Sequence, residues 1–316
     1  MTNTVQAIEV TPSGAPLSAT VRGIDFSKPV PADVAAELVR IWGEHLVLLF
    51  PEQDLGDEDL LSVADAFGGR QVAGSRAYLL KAGHEPGKSA NVSKTAAISV
   101  VTNLDKSGKP VRFTDAVGSL SLKWHSDNSY VETPPRGSLL HARVVPVDGG
   151  GLTSFNNQYL AYERLPDALK ARIEGLHICH DNTRNTAGRL RPTVEAPKTR
   201  ADIAGPAHPL VRIHPLTQRP ALYLGRHYEF PSSYIVELDD EASEALLAEL
   251  WDCATQADLA WTHDWSVGDL LLWDNRCTMH ARTAIDHNQP RVMHRALVKG
   301  EPVISAWDAK AKAKAS

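Results

Sequence analysis

The stretch Trp124–Tyr130 carries a histidine and an aspartate two positions apart, His125 and Asp127. On a β-strand, side chains two positions apart point to the same face, so the imidazole and the carboxylate are expected to bind one metal ion together. Two protein ligands leave most of an octahedral coordination sphere empty. A third ligand is therefore expected from a distant part of the chain, and we place it at His280.

Two histidines and one carboxylate on one face of an octahedron are typical of non-haem Fe(II) oxygenases, which keep open positions for a co-substrate and dioxygen. The His-x-Asp pair alone has little weight, because the chain contains 13 histidines and histidine has many ordinary uses. The hypothesis of a metal site therefore depends on what else accompanies the pair.

Two arginines follow the third candidate ligand. Arg291 and Arg295 lie in the segment predicted to be the last strand, where residues four apart share a face. A guanidinium is always charged and binds a carboxylate through two parallel hydrogen bonds, which suits it to a dicarboxylate whose other end chelates iron. The alternative is that both arginines lie on the surface in exposed ion pairs.

Composition limits the classes of partner and the cellular compartment. The 316 residues carry a net charge of -5 with both signs spread along the chain, so we expect no nucleic-acid or membrane partner. Cys179, Cys253 and Cys277 show no C-x-x-C spacing, which argues against a thiolate zinc site and a disulfide framework. Without a signal-like segment or a long apolar run, we expect a soluble protein of the cytoplasm.

The elements that must position these side chains are short strands with glycine- and proline-rich turns and a few helices. Apolar periodicity predicts helices at about 31–43, 57–67, 157–176 and 241–252, and strands at 7–10, 19–21, 45–50, 97–101, 124–127, 139–145, 153–155, 208–215, 221–224, 261–265, 269–273 and 291–297. This pattern predicts an all-β core with peripheral helices, a double-stranded β-helix or jelly roll. Such a fold would bring His125 and His280 together across its interior.

We expect a single domain over residues 1–305. Residues 69–123 are weakly patterned and lead directly into Trp124, so we interpret them as a lid-like insertion, the alternative being a surface insertion without a role. The low-complexity cationic end of the chain predicts a mobile tail over 306–316.

Five motifs occur in order along the chain: Trp124-His125-Ser126-Asp127, Gly149-Gly150 with Thr153, His208–Pro215, Trp273-Asp274-Asn275-Arg276 with His280, and Arg291–Ala296. Together, from about residue 19 to 300, they resemble the TauD/TfdA family of Fe(II)- and 2-oxoglutarate-dependent dioxygenases. The resemblance implies that the iron ligands are His125, Asp127 and His280. It also implies that Thr153 and Arg291 hold the distal carboxylate of 2-oxoglutarate, with Arg295 near the substrate anion and the co-substrate.

The resemblance implies oxidative decarboxylation of 2-oxoglutarate to succinate and CO2, with O2 consumed and a small anionic substrate hydroxylated. Asp127 stands where related halogenases have a small residue, which implies a hydroxylase. Two alternatives are a natural-product tailoring hydroxylase or desaturase of the same mechanism, and a non-catalytic jelly-roll protein that binds a small acid. The sequence leaves a homo-oligomer open.

Overall fold

The computed structural model describes residues 8–308 of the chain, and within that range the fold is rich in β-sheet with few helices, as predicted. The strands are β1 (Glu9–Pro12), β2 (Ala19–Arg22), β3 (Val47–Phe50), β4 (Arg70–Gln71), β5 (Ile98–Thr102), β6 (Leu122–His125), β7 (Gly137–Val144), β8 (Thr153–Asn157), β9 (His177–Cys179), β10 (Ala207–Pro209), β11 (Val211–Ile213), β12 (Pro220–Leu222), β13 (Tyr234–Ile235), β14 (Ala260–His263), β15 (Leu270–Asp274), β16 (Thr278–Arg282), β17 (Val292–Val298) and β18 (Ile304–Ser305). The α-helices are α1 (Ala32–His45), α2 (Asp57–Ala66), α3 (Ser75–Lys81), α4 (Gln158–Glu163), α5 (Asp167–Arg172) and α6 (Asp240–Ala254). None of the described helices is both long and apolar enough to cross a membrane.

Two sheets position the candidate site. The largest has the strand order β1-β2-β3-β15-β7-β17-β4, with β5 also paired to β17, and a four-stranded sheet has the order β14-β8-β16-β6. Their described pairs are antiparallel except β2 with β3. The four-stranded sheet carries His125, Thr153 and His280, whereas β17 of the largest sheet carries Arg295. These side chains line one cavity, so the site lies between the two sheets.

Strand β15 lies at the centre of the largest sheet, as its apolar sequence predicts. It pairs with β3 on one side and β7 on the other. Leu270 and Leu272 pack into an apolar cluster with α1 and α2, while Leu271 and Trp273 pack into a second cluster with Phe155. Because successive side chains alternate between faces, both faces of β15 are buried, which explains a run without polar alternation.

Two predicted helix boundaries are wrong. Helix α1 continues through Gly43 to His45, and a Cβ at position 43 would lie 2.9 Å from Leu216 Cδ2, so glycine there permits close packing and does not end the helix. The helix predicted over 157–176 is two helices, α4 and α5. Pro166 lacks a backbone N–H and cannot continue α4, and it stands instead at the N-cap of α5.

The expected mobile tail is wrong at its first two residues. Strand β18 pairs with β11 and leads the chain back to the core. Ala306 is buried in the apolar cluster that includes Leu246 and Leu247 of α6, and Trp307 packs against that cluster. The lysine- and alanine-rich residues 309–316, together with residues 1–7, lie outside the described part of the chain.

Candidate functional site

The two candidate histidine ligands come from neighbouring strands. In the antiparallel ladder between β16 and β6, His280 lies opposite His125, and their ring centroids are 4.0 Å apart. Residues opposite each other in such a ladder point to the same face, so both imidazoles enter the cavity side by side. One ligand atom each from His125, Asp127 and His280 lie within 4.8 Å of one another, and all three residues are buried.

Asp127 does not lie on the strand. β6 ends at His125, and Asp127 falls in the turn that follows, so the argument from strand alternation is wrong although the carboxylate still reaches the imidazole. Its Oδ1 is 4.0 Å from Nε2 of His125. Asn275 fixes the turn, because its Oδ1 accepts from the Asp127 backbone N–H at 2.6 Å and its amide donates to the Asp127 carbonyl at 2.8 Å.

Both oxygens of the Asp127 carboxylate accept hydrogen bonds. The Ser138 hydroxyl donates to Oδ2 at 2.7 Å, and Nη1 of Arg295 donates to Oδ1 at 3.0 Å. Burial by itself would raise the pKa of Asp127, but the nearby Arg295 charge, together with His280, His125 and the Ser138 hydrogen bond, outweighs it and holds the pKa below the usual range. The carboxylate is therefore ionised, as a metal ligand must be.

The histidines are neutral and correctly oriented for a cation. Nδ1 of His125 lies 2.7 Å from the Lys123 carbonyl oxygen, which can only accept, so Nδ1 carries the proton and Nε2 keeps its lone pair. Burial lowers the pKa of His125 well below its ordinary value, and burial lowers the pKa of His280 to about 4. Two neutral imidazoles and one ionised carboxylate fit a divalent cation such as Fe(II).

A second charged group faces the same cavity. Arg291 is 1% exposed, and its Nε and Nη2 are buried without a hydrogen-bond partner among the described residues. Burial, with the charge of Arg282, lowers its pKa well below the ordinary value. A buried cation without an acidic partner is costly, so this guanidinium fits a carboxylate supplied by a bound molecule. The distal carboxylate of 2-oxoglutarate has that chemistry.

Thr153 and Trp265 lie beside this arginine. The indole Nε1 of Trp265 donates to Thr153 Oγ1 at 2.9 Å, and the Arg291 guanidinium lies 5.9 Å from the Trp265 ring centroid. A Cβ at Gly151 would lie 3.1 Å from Nε of Arg291, so the glycine-rich turn leaves room for the arginine. Thr153 Oγ1 accepts from the indole and donates to the Gly151 carbonyl over a long 3.5 Å, a weak contact that a stronger acceptor, such as an anion in the cavity, can replace.

The six residues singled out from the sequence all line one cavity of about 150 Å³. The insertion over 69–123 contributes a large part of the wall, including residues of α3 and β5, and the polar segment 182–207 contributes Asn185, Thr186, Arg191 and Pro192. The apolar part includes Leu140 and Trp273. Two segments whose sequences have no clear period thus form part of the cavity wall.

Sequence reasoning missed several groups of the site. Asn275 belongs to the Trp273-Asp274-Asn275-Arg276 motif, but nothing in its spacing indicates a contact with a turn 148 positions earlier. Ser138 and Arg282 lie on strands with the correct face but in no motif. Burial lowers the pKa of Arg282 to about 10, and its Nη2 donates to the carbonyls of Gly118 and Leu120. For Arg282, the available signal in the sequence was a charged residue within a strand whose other residues are mostly buried.

A second cluster of potential ligands is structural. His214, Asp274 and Cys277 lie close enough to hold an ion. However, Oδ2 of Asp274 accepts from His214 Nε2 at 2.9 Å and from Arg276 Nη2 at 2.6 Å, and Oδ1 accepts from Arg276 Nε at 2.8 Å. Burial raises the pKa of the Cys277 thiol, which keeps it protonated. The carboxylate already has its partners, so this cluster stabilises the strand end after β15.

Comparison with known proteins gives matches over nearly the whole chain. The family model described as "Taurine catabolism dioxygenase TauD, TfdA family" matches residues 9–297. The (S)-phenoxypropionate/alpha-ketoglutarate-dioxygenase of Delftia acidovorans is 31% identical over 301 residues, covering 93% of this chain and 96% of the relative. Pentalenolactone F synthase of Streptomyces avermitilis is 28% identical over 307 residues, covering 93% of this chain and 94% of the relative.

The fold is also similar to solved structures. The crystal structure of AAD-2 in complex with Mn(II) and N-oxalylglycine has a TM-score of 0.73 and 30% sequence identity to this chain. The similarity covers 94% of this chain and 100% of that one.

Proposed function

Because the chain belongs to the TauD/TfdA family and is an Fe(II)- and 2-oxoglutarate-dependent dioxygenase, we propose that His125, Asp127 and His280 hold its Fe(II). The proposal is supported by the short distances between their ligand atoms and by the protonation states that burial and Arg295 impose. Three protein ligands leave positions open for the co-substrate and O2.

The observation that carries the assignment of the co-substrate site is the buried guanidinium of Arg291, which lacks an acidic partner among the described residues and shares a cavity with the metal cluster. In our proposal Arg291 binds the distal carboxylate of 2-oxoglutarate and the Thr153 hydroxyl donates a further hydrogen bond. Arg295 contributes to keeping Asp127 ionised and adds positive charge beside the co-substrate.

When bound, iron with 2-oxoglutarate and O2 supplies the oxidation, in which the keto acid becomes succinate and CO2 and a substrate C–H bond is hydroxylated. The chain's own residues orient the reactants and exclude water. Asn275 and Ser138 fix the Asp127 carboxylate, and the apolar part of the wall, which includes Leu140 and Trp273, limits water beside the reacting atoms.

The proposed substrate is a small organic anion with an apolar body. The cavity is lined by five arginines, Arg76, Arg191, Arg282, Arg291 and Arg295, and two aspartates, Asp115 and Asp127. This excess of positive charge persists after the charges of a ferrous ion and a 2-oxoglutarate dianion cancel. The apolar wall and the phenoxypropionate-named relative favour an aryloxy acid, whereas the pentalenolactone relative favours natural-product tailoring by the same mechanism.

Further parts of the proposal concern architecture and location. The two facing sheets form the double-stranded β-helix, and residues 69–123 act as a lid over the substrate, supported by their share of the cavity wall. A cytoplasmic location is supported by Cys179, Cys253 and Cys277, all of which are free thiols. The absence of nucleic-acid and membrane partners stays a prediction, and a homo-oligomer stays open.

The test is succinate formation. The protein is reconstituted anaerobically with Fe(II), ascorbate and 2-oxoglutarate, and the expected results are a weak metal-to-ligand absorption band and, on admitting air, succinate that increases with a substrate anion. His280→Ala serves as the matched control because it removes one ligand without adding charge. A wild-type protein that gives neither the band nor succinate contradicts the proposal.

A further inference from the structure

Arg191 is a buried cation on the cavity wall outside the metal and co-substrate groups. It is 7% exposed, and no carboxylate among residues 8–308 forms an ion pair with it. Burial, with the charge of Arg226, lowers its pKa. An unpaired charge in such a place destabilises the protein unless something compensates it, so its chemistry points to an anion brought in by a ligand.

Aromatic rings hold the guanidinium of Arg191 in one orientation. Its central carbon lies 4.8 Å from the ring centroid of Tyr130 and 5.0 Å from that of Tyr78. Arg226 lies 4.9 Å from the centroid of the same Tyr130 ring. Nε of Arg191 donates to the Asn182 carbonyl at 2.9 Å, which fixes the base of the side chain. A guanidinium positioned in this way is pre-organised to bind a planar anion.

The backbone that carries Arg191 is also well fixed. Its N–H donates to the Thr183 carbonyl at 2.9 Å, and the Asn185 N–H donates to the Arg189 carbonyl at 2.8 Å, which closes the loop between them. The side-chain amide of Asn185 donates to the carbonyl of Ala116, so the loop is joined to the lid-like insertion. Arg189 itself is exposed and does not line the cavity.

The other buried arginines of the cavity have partners or a proposed role. Arg295 donates to Asp127, and Arg282 donates to two backbone carbonyls. Arg291 faces the metal cluster beside Thr153 and is the group proposed to hold the co-substrate. Arg191 and Arg282 both lack an assigned anion, but Arg282 donates through a terminal nitrogen, whereas the described side-chain hydrogen bond of Arg191 is made by Nε, which leaves its two terminal nitrogens for an anion.

We propose that Arg191 binds the carboxylate of the primary substrate through two parallel hydrogen bonds, with Tyr78 and Tyr130 beside the substrate's apolar or aromatic body. The inference rests on the proposed function and adds the group that selects carboxylic acids. In this arrangement the anion is bound by the wall formed by residues 182–207, and Arg295 remains engaged with Asp127. The substrate class is a monocarboxylate on a flat apolar body.

The experiment measures binding to the anaerobic Fe(II) and 2-oxoglutarate complex. The probes are the two enantiomers of 2-phenoxypropionate and the neutral 2-phenoxypropionamide. The wild type should bind a carboxylate more tightly than the amide. Arg191→Gln should weaken carboxylate binding by about tenfold or more and change amide binding little, because a charge-assisted contact is lost. Arg191→Lys keeps the charge but loses the planar fork, and should give an intermediate loss.

Arg189→Gln is the matched control, since it removes an exposed charge two positions away in the same loop and should leave both affinities unchanged. Three results overturn the inference: equal carboxylate affinity in Arg191→Gln and wild type, equal losses for acid and amide, or a wild type that does not prefer the acid. If Arg191→Gln does not fold, Arg191→Lys is the deciding variant. A carboxylate affinity in Arg191→Lys equal to that of the wild type would also overturn the inference.

Failure of this inference differs from failure of the proposed function. In the Arg189→Gln control, 2-oxoglutarate binding and succinate formation without substrate should stay at the wild-type level, because this exposed arginine lies outside the cavity lining. Retained succinate formation with no acid preference overturns only the Arg191 site. A wild type without 2-oxoglutarate binding overturns the proposed function as well.

Discussion

Nη1 of Arg295 lies 3.0 Å from Oδ1 of Asp127, and this ion pair joins the two sheets beside the proposed metal ligands. Arg295 belongs to β17 of the largest sheet, whereas Asp127 follows β6 of the four-stranded sheet. The pair keeps a buried carboxylate charged before any cation arrives. Metal binding therefore does not first require deprotonation of the acid near neutral pH.

His280→Ala is expected to abolish succinate formation while leaving the fold intact. The imidazole is neutral and buried, so its removal leaves a cavity but no unpaired charge, at a cost of about 2–4 kcal/mol. Succinate, bound iron and thermal unfolding are measured on one preparation. His125→Ala should behave in the same way.

Asp127→Ala should also lose turnover but be less stable than the histidine variants, because it leaves Arg295 without its acidic partner, which typically costs about 3–5 kcal/mol. Turnover in any of the three variants would contradict the ligand assignment. Equal stability of Asp127→Ala and His280→Ala would contradict the importance given to the ion pair.

Arg291→Gln is expected to weaken 2-oxoglutarate binding by about thirtyfold or more, the equivalent of losing a buried charge pair. Without 2-oxoglutarate, its stability should equal or exceed that of the wild type, because a buried cation without a described acidic partner has been removed. The measurements are a 2-oxoglutarate titration of the metal complex and thermal unfolding with and without the keto acid.

Trp265→Phe gives a graded control for this site, since it removes the N–H donor to Thr153 and part of the ring beside Arg291 but leaves the guanidinium in place. Its loss of 2-oxoglutarate affinity should be clearly smaller than that of Arg291→Gln. An unchanged affinity in Arg291→Gln would remove the arginine from the co-substrate site.

Asn275→Ala is expected to lower metal affinity or turnover by about 10- to 100-fold, the usual effect of removing a group that orients a ligand. The side chain bonds both backbone groups of Asp127, so its loss frees the turn that aims the carboxylate. The check is an Fe(II) titration followed by succinate formation at saturating metal. Ser138→Ala, which loses one hydrogen bond to the carboxylate, should have a smaller effect. Wild-type metal affinity and turnover in Asn275→Ala would show that the turn does not need the Asn275 side chain.

The sequence was sufficient for the central strand and for choosing the residues that meet in the cavity. β15 could be identified because a run buried on both faces has no polar alternation. His125 and His280 were chosen from ligand chemistry and from motifs in a family order, and the structure brings their rings together. Their register across the ladder, however, depends on pairing between strands far apart in the chain, which local spacing does not encode.

Other parts of the site could not be predicted, because their positions depend on contacts between residues far apart in the sequence. Asp127 reaches His125 and His280 from a turn that Asn275 holds, so the residue that the structure places there was chosen by an incorrect local argument. Arg191 lies in a polar segment without period, and only its burial against Tyr78 and Tyr130 distinguishes it from a surface arginine. Local sequence likewise predicts a helix end at Gly43, because the contact with Leu216 that requires a glycine there comes from a distant part of the chain.

The stability of the metal-free protein should fall as pH decreases below about 6.5, and His180 should account for part of that fall. His180 is fully buried beside His208 and Tyr223, and both ring nitrogens lack a hydrogen-bond partner among the described residues. Burial, with the charges of His208 and Arg226, lowers its pKa well below the ordinary value.

The folded protein therefore keeps His180 neutral, whereas the unfolded chain takes up a proton below about pH 6.5, which favours unfolding as pH falls. Between about pH 7.5 and 5 this linkage is at most about 2 kcal/mol for one histidine. Urea unfolding at both pH values should show a smaller difference for His180→Gln, whatever its absolute stability. His287→Gln, at an exposed position, should keep the wild-type difference. The same pH difference in His180→Gln and wild type would mean that this imidazole is protonated equally in both states.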